Sequence, residues 1–251
     1  MSLNYRFIVG MAQEFAAPGG RLLDFGCGAG EVVREAVAAG FDATGVDTYE
    51  GGWEQYAHAE GDFDGRILRV AAGARLPFED GRFDVAVSNQ VLEHVADLDA
   101  AVAELRRVIR PGGVFIAMFP TSDIIVEPHL LAPFIHWFPA GSRVQVALMH
   151  LSFMLGMRNL PELKRRDWVR MATQALSTYI FYRSETSYFA ALQPGFRLET
   201  RREADLIIAR VAQGRLRMLL PVLRLPFLRP ILRRLWARMA GVVLVLRRTT
   251  P

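Results

Sequence analysis

The sequence predicts an α/β domain with a doubly wound, mostly parallel sheet and an inserted helical cap. Three observations carry this expectation. Short apolar runs alternate with amphipathic stretches through the first 120 residues, a glycine cluster follows the first of those runs, and long helical stretches rich in Met, Leu and aromatics take over after residue 120. With 251 residues, 51% hydrophobic and 22% charged, the chain is long enough to bury a full core. That excludes a disordered tail or a disulfide-stapled miniprotein. Cys27, the single cysteine, excludes an internal disulfide and a zinc cluster of several thiolates, and it fits a reducing compartment.

The elements follow in order. Arg21 to Phe25 is an apolar run ending in glycines, and Glu31 to Ala39 has helical spacing closed by Gly40, which gives strand, glycine turn and helix. Phe41 to Val46, Arg66 to Val70 and Phe83 to Ser88 read as further strands. Leu98 to Ile109 is an amphipathic helix stopped by Pro111, Gly112 and Gly113, and Val114 to Phe119 is a fifth strand. Gly141 to Met157 and Leu160 to Tyr182 read as the helices of the cap. Ser184 is placed as the N-cap of a helix reaching Gln193, before a sixth strand near Phe196 to Thr200 and a buried last strand at Gly241 to Arg247. The expected organisation is a cofactor-binding half over 1–120, a cap on the acceptor side over 121–183, and the end of the sheet over 184–251 with a basic insertion at 214–240.

The run Asp24-Phe25-Gly26-Cys27-Gly28-Ala29-Gly30 lies between strand and helix. Glycines there let the backbone approach a ligand, and the helix start presents free amides. A dinucleotide fingerprint wants a glycine where Glu31 stands, which disfavours a nicotinamide oxidoreductase. An acidic residue at the strand end suits a ligand with a positively charged amino-acid head. Asp47, closing the second strand, is placed to accept both hydroxyls of a ribose; the plainer alternative is a solvated turn aspartate.

With these motifs the sequence resembles the class I S-adenosylmethionine-dependent methyltransferases, within them the type 11 group that includes quinone-biosynthesis enzymes. The resemblance covers about the first half of the chain and the closing strand. It rests on LLDFGCGAGE, on GVD, on LPFEDGRFDVAVSNQVLEHVAD and on ELRRVIRPGGVFIA. It implies a Rossmann-like sheet and S-adenosyl-L-methionine as cofactor. Asp24, Gly26, Gly28 and Gly30 would surround its methionine and ribose portions, Asp47 its ribose hydroxyls, Asn89 and Gln90 its methyl end, and Leu76 with Pro77 and Phe78 its adenine. One departure is Ala72, where the family usually has an aspartate for the adenine amino group. Glu93 and His94 belong to the family pattern and are read here as structural, and Cys27 as packing.

Ligands of open parallel sheets collect at the carboxyl ends of the strands, so the acceptor is expected beside the loop after the fifth strand. That loop leads into EPHLLAPFIHWFP. His129 is the candidate general base, and Glu127, His136, Tyr179 and Tyr182 are candidates for the acceptor pocket. The bland alternatives are that the histidines pin the cap and that the tyrosines, three apart on one helix face, are core. The spacing of Glu127, His129, His136 and His150 matches no common zinc signature, so no metal is expected.

The net charge of +4 is unevenly spread. From Arg201 onward twelve arginines face Glu203 and Asp205, a net +10, and the preceding residues carry −6. Within 214–240 the last piece is expected to turn Ile231, Leu232, Leu235, Trp236 and Met239 to one apolar face, with Arg233, Arg234 and Arg238 elsewhere. Basic amphipathic segments with tryptophan bind anionic membrane surfaces; packing of that face on the sheet is the alternative. No nucleic acid is expected, because the segment contains no recognition module. No run approaches the roughly 20 apolar residues of a membrane span, and no signal peptide opens the chain, so a cytoplasmic protein, peripheral on the inner membrane face, is expected. The function expected is methyl transfer to an apolar or lipid-linked acceptor, the alternatives being a tailoring enzyme for a soluble aromatic or polyketide-like metabolite and a noncatalytic cofactor-binding partner.

Overall fold

A computed structural model describes residues 2–50 and 54–250. The strands are β1 (Arg21–Phe25), β2 (Asp42–Asp47), β3 (Ile67–Arg69), β4 (Phe83–Asn89), β5 (Ile109–Phe119), β6 (Val126–Glu127), β7 (Ala132–Pro133), β8 (Phe196–Arg201) and β9 (Val242–Arg248). The helices are α1 (Leu3–Gln13), α2 (Glu31–Ala38), the short α3 (Asp62–Gly65), α4 (Leu98–Val108), α5 (Arg143–Met154), α6 (Arg165–Thr178), α7 (Glu185–Leu192), α8 (Glu203–Gln213), the short α9 (Leu220–Leu223) and α10 (Arg229–Ala240). Seven strands form one sheet in the order β3-β2-β1-β4-β5-β9-β8. Neighbours among β1 to β5 are parallel, while β9 runs antiparallel to both β5 and β8. This is the doubly wound, mostly parallel sheet that the alternating pattern predicts.

Burial on both faces explains why β4 and β5 read as continuous apolar runs rather than alternating ones. One face packs Leu22, Val85, Val87, Ile116 and Val245 with Ile8, Val33 and Leu206 from α1, α2 and α8. The other packs Leu23, Ala86, Phe115 and Leu244 with Leu105 and Tyr188 from α4 and α7. The order of strands reverses between β1 and β4, and crevices at such points are where these sheets hold ligands.

The segment after β5 has its own hydrophobic cluster, in which Met149 of α5 meets Trp168, Val169 and Ala172 of α6 and Leu130, Ala132 and Ile135 of the preceding loops. Ile124 and Ile125 anchor this segment, and Ile125 ties it to the last helix. The carbonyl of Ile124 accepts from His136 Nε2 at 3.0 Å and Trp137 Nε1 at 2.9 Å. The amide of Ile125 donates to the carbonyl of Arg238 at 2.8 Å, and its own carbonyl accepts from Phe134 N at 2.8 Å.

Sequence analysis places no element at α1 or α8, yet both cover the sheet, and α8 packs on α10. The expected apolar face of α10 is present and only partly covered. Leu232 is buried and Trp236 is half-buried under the Arg210 guanidinium, whereas Ile231, Leu235 and Met239 are exposed. Those three are four residues apart along the helix and form the uncovered outer stripe of that face.

Candidate functional site

A cavity of about 860 Å³ opens at the carboxyl ends of β1, β2 and β4, within the usual size of small-molecule sites. Asp24, Gly26, Gly28 and Asp47 line one end, Leu76 and the Ala71–Ala74 turn another, and Asn89, Gln90, His94, Tyr179 and Phe181 the far wall. The three glycines divide by geometry. A Cβ on Gly26 would meet the Val91 side chain at 2.3 Å, and one on Gly30 would meet Ile67 Cδ1 at 2.3 Å; both have φ near +80°. Gly28, at φ +49°, has open space where its Cβ would be. Gly28 is thus the cradle, Gly26 turns the chain, and Gly30 packs helix against strand. Gly30 is absent from the residues that line the cavity.

Asp47 holds the loop in shape. Its Oδ2 accepts Gly28 N–H and its Oδ1 accepts Tyr49 N–H, each at 2.8 Å. Each carboxylate oxygen has a second lone pair for a ligand hydroxyl. Tyr49 is buried beneath the loop and donates its hydroxyl to the carbonyl of Gly28 at 3.3 Å. Asp24 is buried with Oδ2 unpartnered, and burial, reinforced by the Asp47 charge, pushes its carboxyl up to about 8. Burial likewise pushes the Cys27 thiol up, which leaves it inert. Gln90 sits at φ +60°, a conformation costly for a side-chain-bearing residue and recurrent at functional sites. On the adenine side, Glu104 Oε2 accepts Leu76 N–H at 2.9 Å, and Arg107 donates to the carbonyls of Phe78 and Leu76 at 2.7 and 3.0 Å. Glu104 and Arg107, absent from the sequence candidates, hold the turn that Leu76 belongs to; their signal was the ELRRVIRPGG motif itself.

Behind the far wall lies a chain of polar groups. Tyr182 donates its hydroxyl to Glu127 Oε1 at 2.5 Å, and the same oxygen lies 2.8 Å from His129 Nδ1. His129 Nε2 is 3.2 Å from His94 Nε2, and His94 Nδ1 is 2.8 Å from the carbonyl of Tyr179. Burial would push Glu127 up, but donors from His129, Tyr182 and Leu130 outweigh it and hold its carboxyl below the ordinary range. Burial would lower His129, and the Glu127 carboxylate reverses that and raises it. Burial, aided by His129, lowers His94 to about 4 against the pull of the Tyr179 carbonyl.

Four of the acceptor candidates lie outside the cavity lining. His129, Glu127, His136 and Tyr182 do not line the cavity; His94 and Tyr179 do. His94 is thus the imidazole that faces the cavity, and His136 holds the Ile124 carbonyl. Tyr179 and Tyr182 share no helix face because α6 ends at Thr178 and Tyr179 is its cap, after which the side chains diverge.

The comparisons with known proteins bear on the same residues. A family model described as a methyltransferase domain matches residues 23–117, from β1 through most of β5. Residues 23–117 thus match a type 11 methyltransferase domain. A sterol 4-C-methyltransferase of Caenorhabditis elegans is 38% identical over 108 residues, covering 40% of this chain and 32% of that protein. A ubiquinone biosynthesis O-methyltransferase of Methylococcus capsulatus is 32% identical over 117 residues, covering 45% and 48%. The matched stretch is thus less than half the length of these curated relatives. Among solved structures, an S-adenosylmethionine-dependent methyltransferase from Mesorhizobium loti superposes with a TM-score of 0.57 at 19% identity, covering 98% of both chains. A phosphoethanolamine N-methyltransferase of Haemonchus contortus in complex with S-adenosyl-L-methionine has a TM-score of 0.53 at 15% identity, covering 100% of this chain and 53% of that one.

The cavity of this methyltransferase domain fits S-adenosylmethionine, whose sulfonium supplies an activated methyl group. Asp24 offers an orphaned buried carboxyl oxygen to a cationic head, Gly28 leaves the backbone bare for close approach, and Asp47 keeps lone pairs for a diol. Ala72 lines the adenine end and brings no carboxylate there, so that contact is left to backbone.

Proposed function

We propose that this chain transfers the methyl group of S-adenosylmethionine to an acceptor with an apolar portion, presented at an anionic membrane surface. The observation that carries the first half is the single cavity that runs from the Asp24–Asp47 end to a far wall built from Asn89, Gln90, His94, Val95, Tyr179 and Phe181. Transfer requires an acceptor lone pair or carbanion in line with the sulfonium, and a dry wall holds it there. The sterol and ubiquinone-pathway names of the relatives support an apolar acceptor. Labelled methyl from S-adenosylmethionine, offered side by side to a lipid extract and a soluble extract of the source cells, is expected to enter the lipid extract. Label confined to the soluble extract would favour a soluble aromatic metabolite. No label in either, with S-adenosylhomocysteine bound, would favour a noncatalytic cofactor-binding protein.

The surface around 214–240 supports the membrane half of the reading. Arg215, Arg217, Arg224, Arg233 and Arg234 are exposed and make no ion pair among the described residues. Between them Met218 is 78% and Phe227 69% exposed, alongside Leu216, Val222 and the Ile231–Leu235–Met239 stripe. Apolar side chains interleaved with cations match the acyl boundary and headgroups of an anionic bilayer. No described helix is long and apolar enough to cross a membrane. In flotation with phosphatidylglycerol vesicles the protein is expected to rise with the lipid and to stay behind with phosphatidylcholine alone. At about 1 kcal/mol per basic residue, the double variant R233Q/R234Q should partition about 30-fold less. Equal recovery of folded protein in both fractions, with or without anionic lipid, would end the membrane reading and leave the cavity reading intact.

A further inference from the structure

The two imidazoles behind the cavity wall are arranged for a cation. The Tyr179 carbonyl only accepts, so His94 Nδ1 carries the hydrogen of that 2.8 Å bond and Nε2 of the neutral ring presents its lone pair. Glu127 receives the Tyr182 hydroxyl and the Leu130 amide as an acceptor, so His129 Nδ1 likewise donates to it, and the lone pair of the neutral ring again falls on Nε2. Those two Nε2 atoms face each other at 3.2 Å. A cation beside the line joining them takes both lone pairs.

A third group adjoins the two rings. Glu93 is fully buried, and neither of its carboxylate oxygens has a hydrogen-bond partner. An ionised carboxylate in that position is costly unless it is paired or coordinates a metal. One ligand atom from each of Glu93, His94 and His129 lies within 4.8 Å of the others.

We propose that Glu93, His94 and His129 form a binding site for one divalent cation of the zinc type. Two imidazole nitrogens and one carboxylate select Zn2+ over the oxygen-preferring Mg2+ and Ca2+. Tetrahedral bonds of about 2.0–2.1 Å put two nitrogen ligands about 3.3 Å apart, close to the spacing seen here. The outer partners are also in place. Glu127 orients His129 in a carboxylate–histidine–metal arrangement, Tyr182 orients Glu127, and the Tyr179 carbonyl orients His94. The sequence shows no zinc signature because the ligands come from two segments, the turn after β4 and the loop after β5, that meet only in the fold. The cation links those segments directly behind the wall that His94 presents to the cavity.

The test uses the full chain, stripped with EDTA and dialysed, and titrated calorimetrically with ZnCl2 and with MgCl2. One Zn2+ per chain is expected, with Mg2+ at least 100-fold weaker, and Co2+ should give the visible absorption of a four-coordinate site. E93Q, which keeps volume, and H129A should each weaken Zn2+ by at least tenfold, and Y182F, acting through Glu127, by about tenfold. Circular dichroism and thermal melting check that each variant is folded; if H129A is not, E93Q and the Co2+ spectrum carry the result. Absence of stoichiometric Zn2+ uptake by the wild type would overturn the site, and so would uptake unchanged in folded E93Q. Neither result depends on methyl transfer, so the cation site and the function proposed above can fail separately.

Discussion

The affinity of the protein for S-adenosylhomocysteine is expected to rise about tenfold per pH unit from about pH 6 and to level off near pH 8. The reason is Asp24. Burial and the neighbouring Asp47 charge push its carboxyl up to about 8, so in the ligand-free protein it holds a proton at neutral pH. The other titratable groups close to it, Tyr5 and the Cys27 thiol, are raised by burial and stay neutral, and Glu31 is occupied with Tyr5. An ammonium placed beside Asp24 favours the carboxylate, so binding below pH 8 releases a proton and strengthens as protons become scarcer. Calorimetric titration in buffers of different ionisation enthalpy should find close to one proton released per ligand near neutral pH.

Asp24→Asn should remove this pH dependence and bind at least tenfold more weakly at pH 8. It should also change stability in the opposite sense. A carboxyl raised above its unfolded value keeps a proton that the unfolded chain gives up, so the wild type loses stability as pH climbs from about 4 towards 8. The asparagine variant lacks that slope. Affinity that stays flat from pH 6 to 8 in the wild type would remove Asp24 from the cofactor's cationic head.

The second large effect separates the glycines. Gly26→Ala and Gly30→Ala each put a methyl group 2.3 Å from a side-chain carbon at a positive φ. Each should cost about 2–4 kcal/mol, seen as a melting temperature lower by about 5–15 °C. Gly28→Ala meets nothing within 4 Å, so its folding cost is only that of the left-handed backbone, about 1 kcal/mol. Its methyl group instead occupies the surface offered to the cofactor, and S-adenosylhomocysteine should bind at least 30-fold more weakly. The pattern that matters is the crossing of two readouts. If Gly28→Ala bound like wild type, or melted as low as Gly26→Ala, the cradle assignment would be wrong.

The same glycines show what a linear reading reaches. Strand, glycine turn, helix and the acidic end of β2 are local patterns, and the motifs that carry the resemblance are contiguous, so the cofactor end and the sheet were legible. The difference between Gly28 and Gly30 was not, because it depends on Ile67, which β3 brings back beneath the loop. The acceptor side was less legible still. His129 stands out in sequence as a histidine beside an acid, yet 35 residues separate it from His94, which takes the position facing the cavity. Tyr179 and Tyr182 have helical spacing, but the helix stops at Thr178. In α10 the apolar face is legible, and only packing against α8 shows which of its residues turn inward.

The Ile124–Ile125 junction gives the acceptor side a mechanical character. Its two peptide groups are gripped from three directions: by the ring nitrogens of His136 and Trp137, by the amide of Phe134, and by the last turn of α10 through Arg238. Glu127 is two residues further on. Displacement of α10 is therefore passed, through the Ile125 amide and the Arg238–Asp123 contact, to the strand that positions the polar chain behind the cavity. Exchange of the Ile125 amide hydrogen gauges how firmly that junction holds.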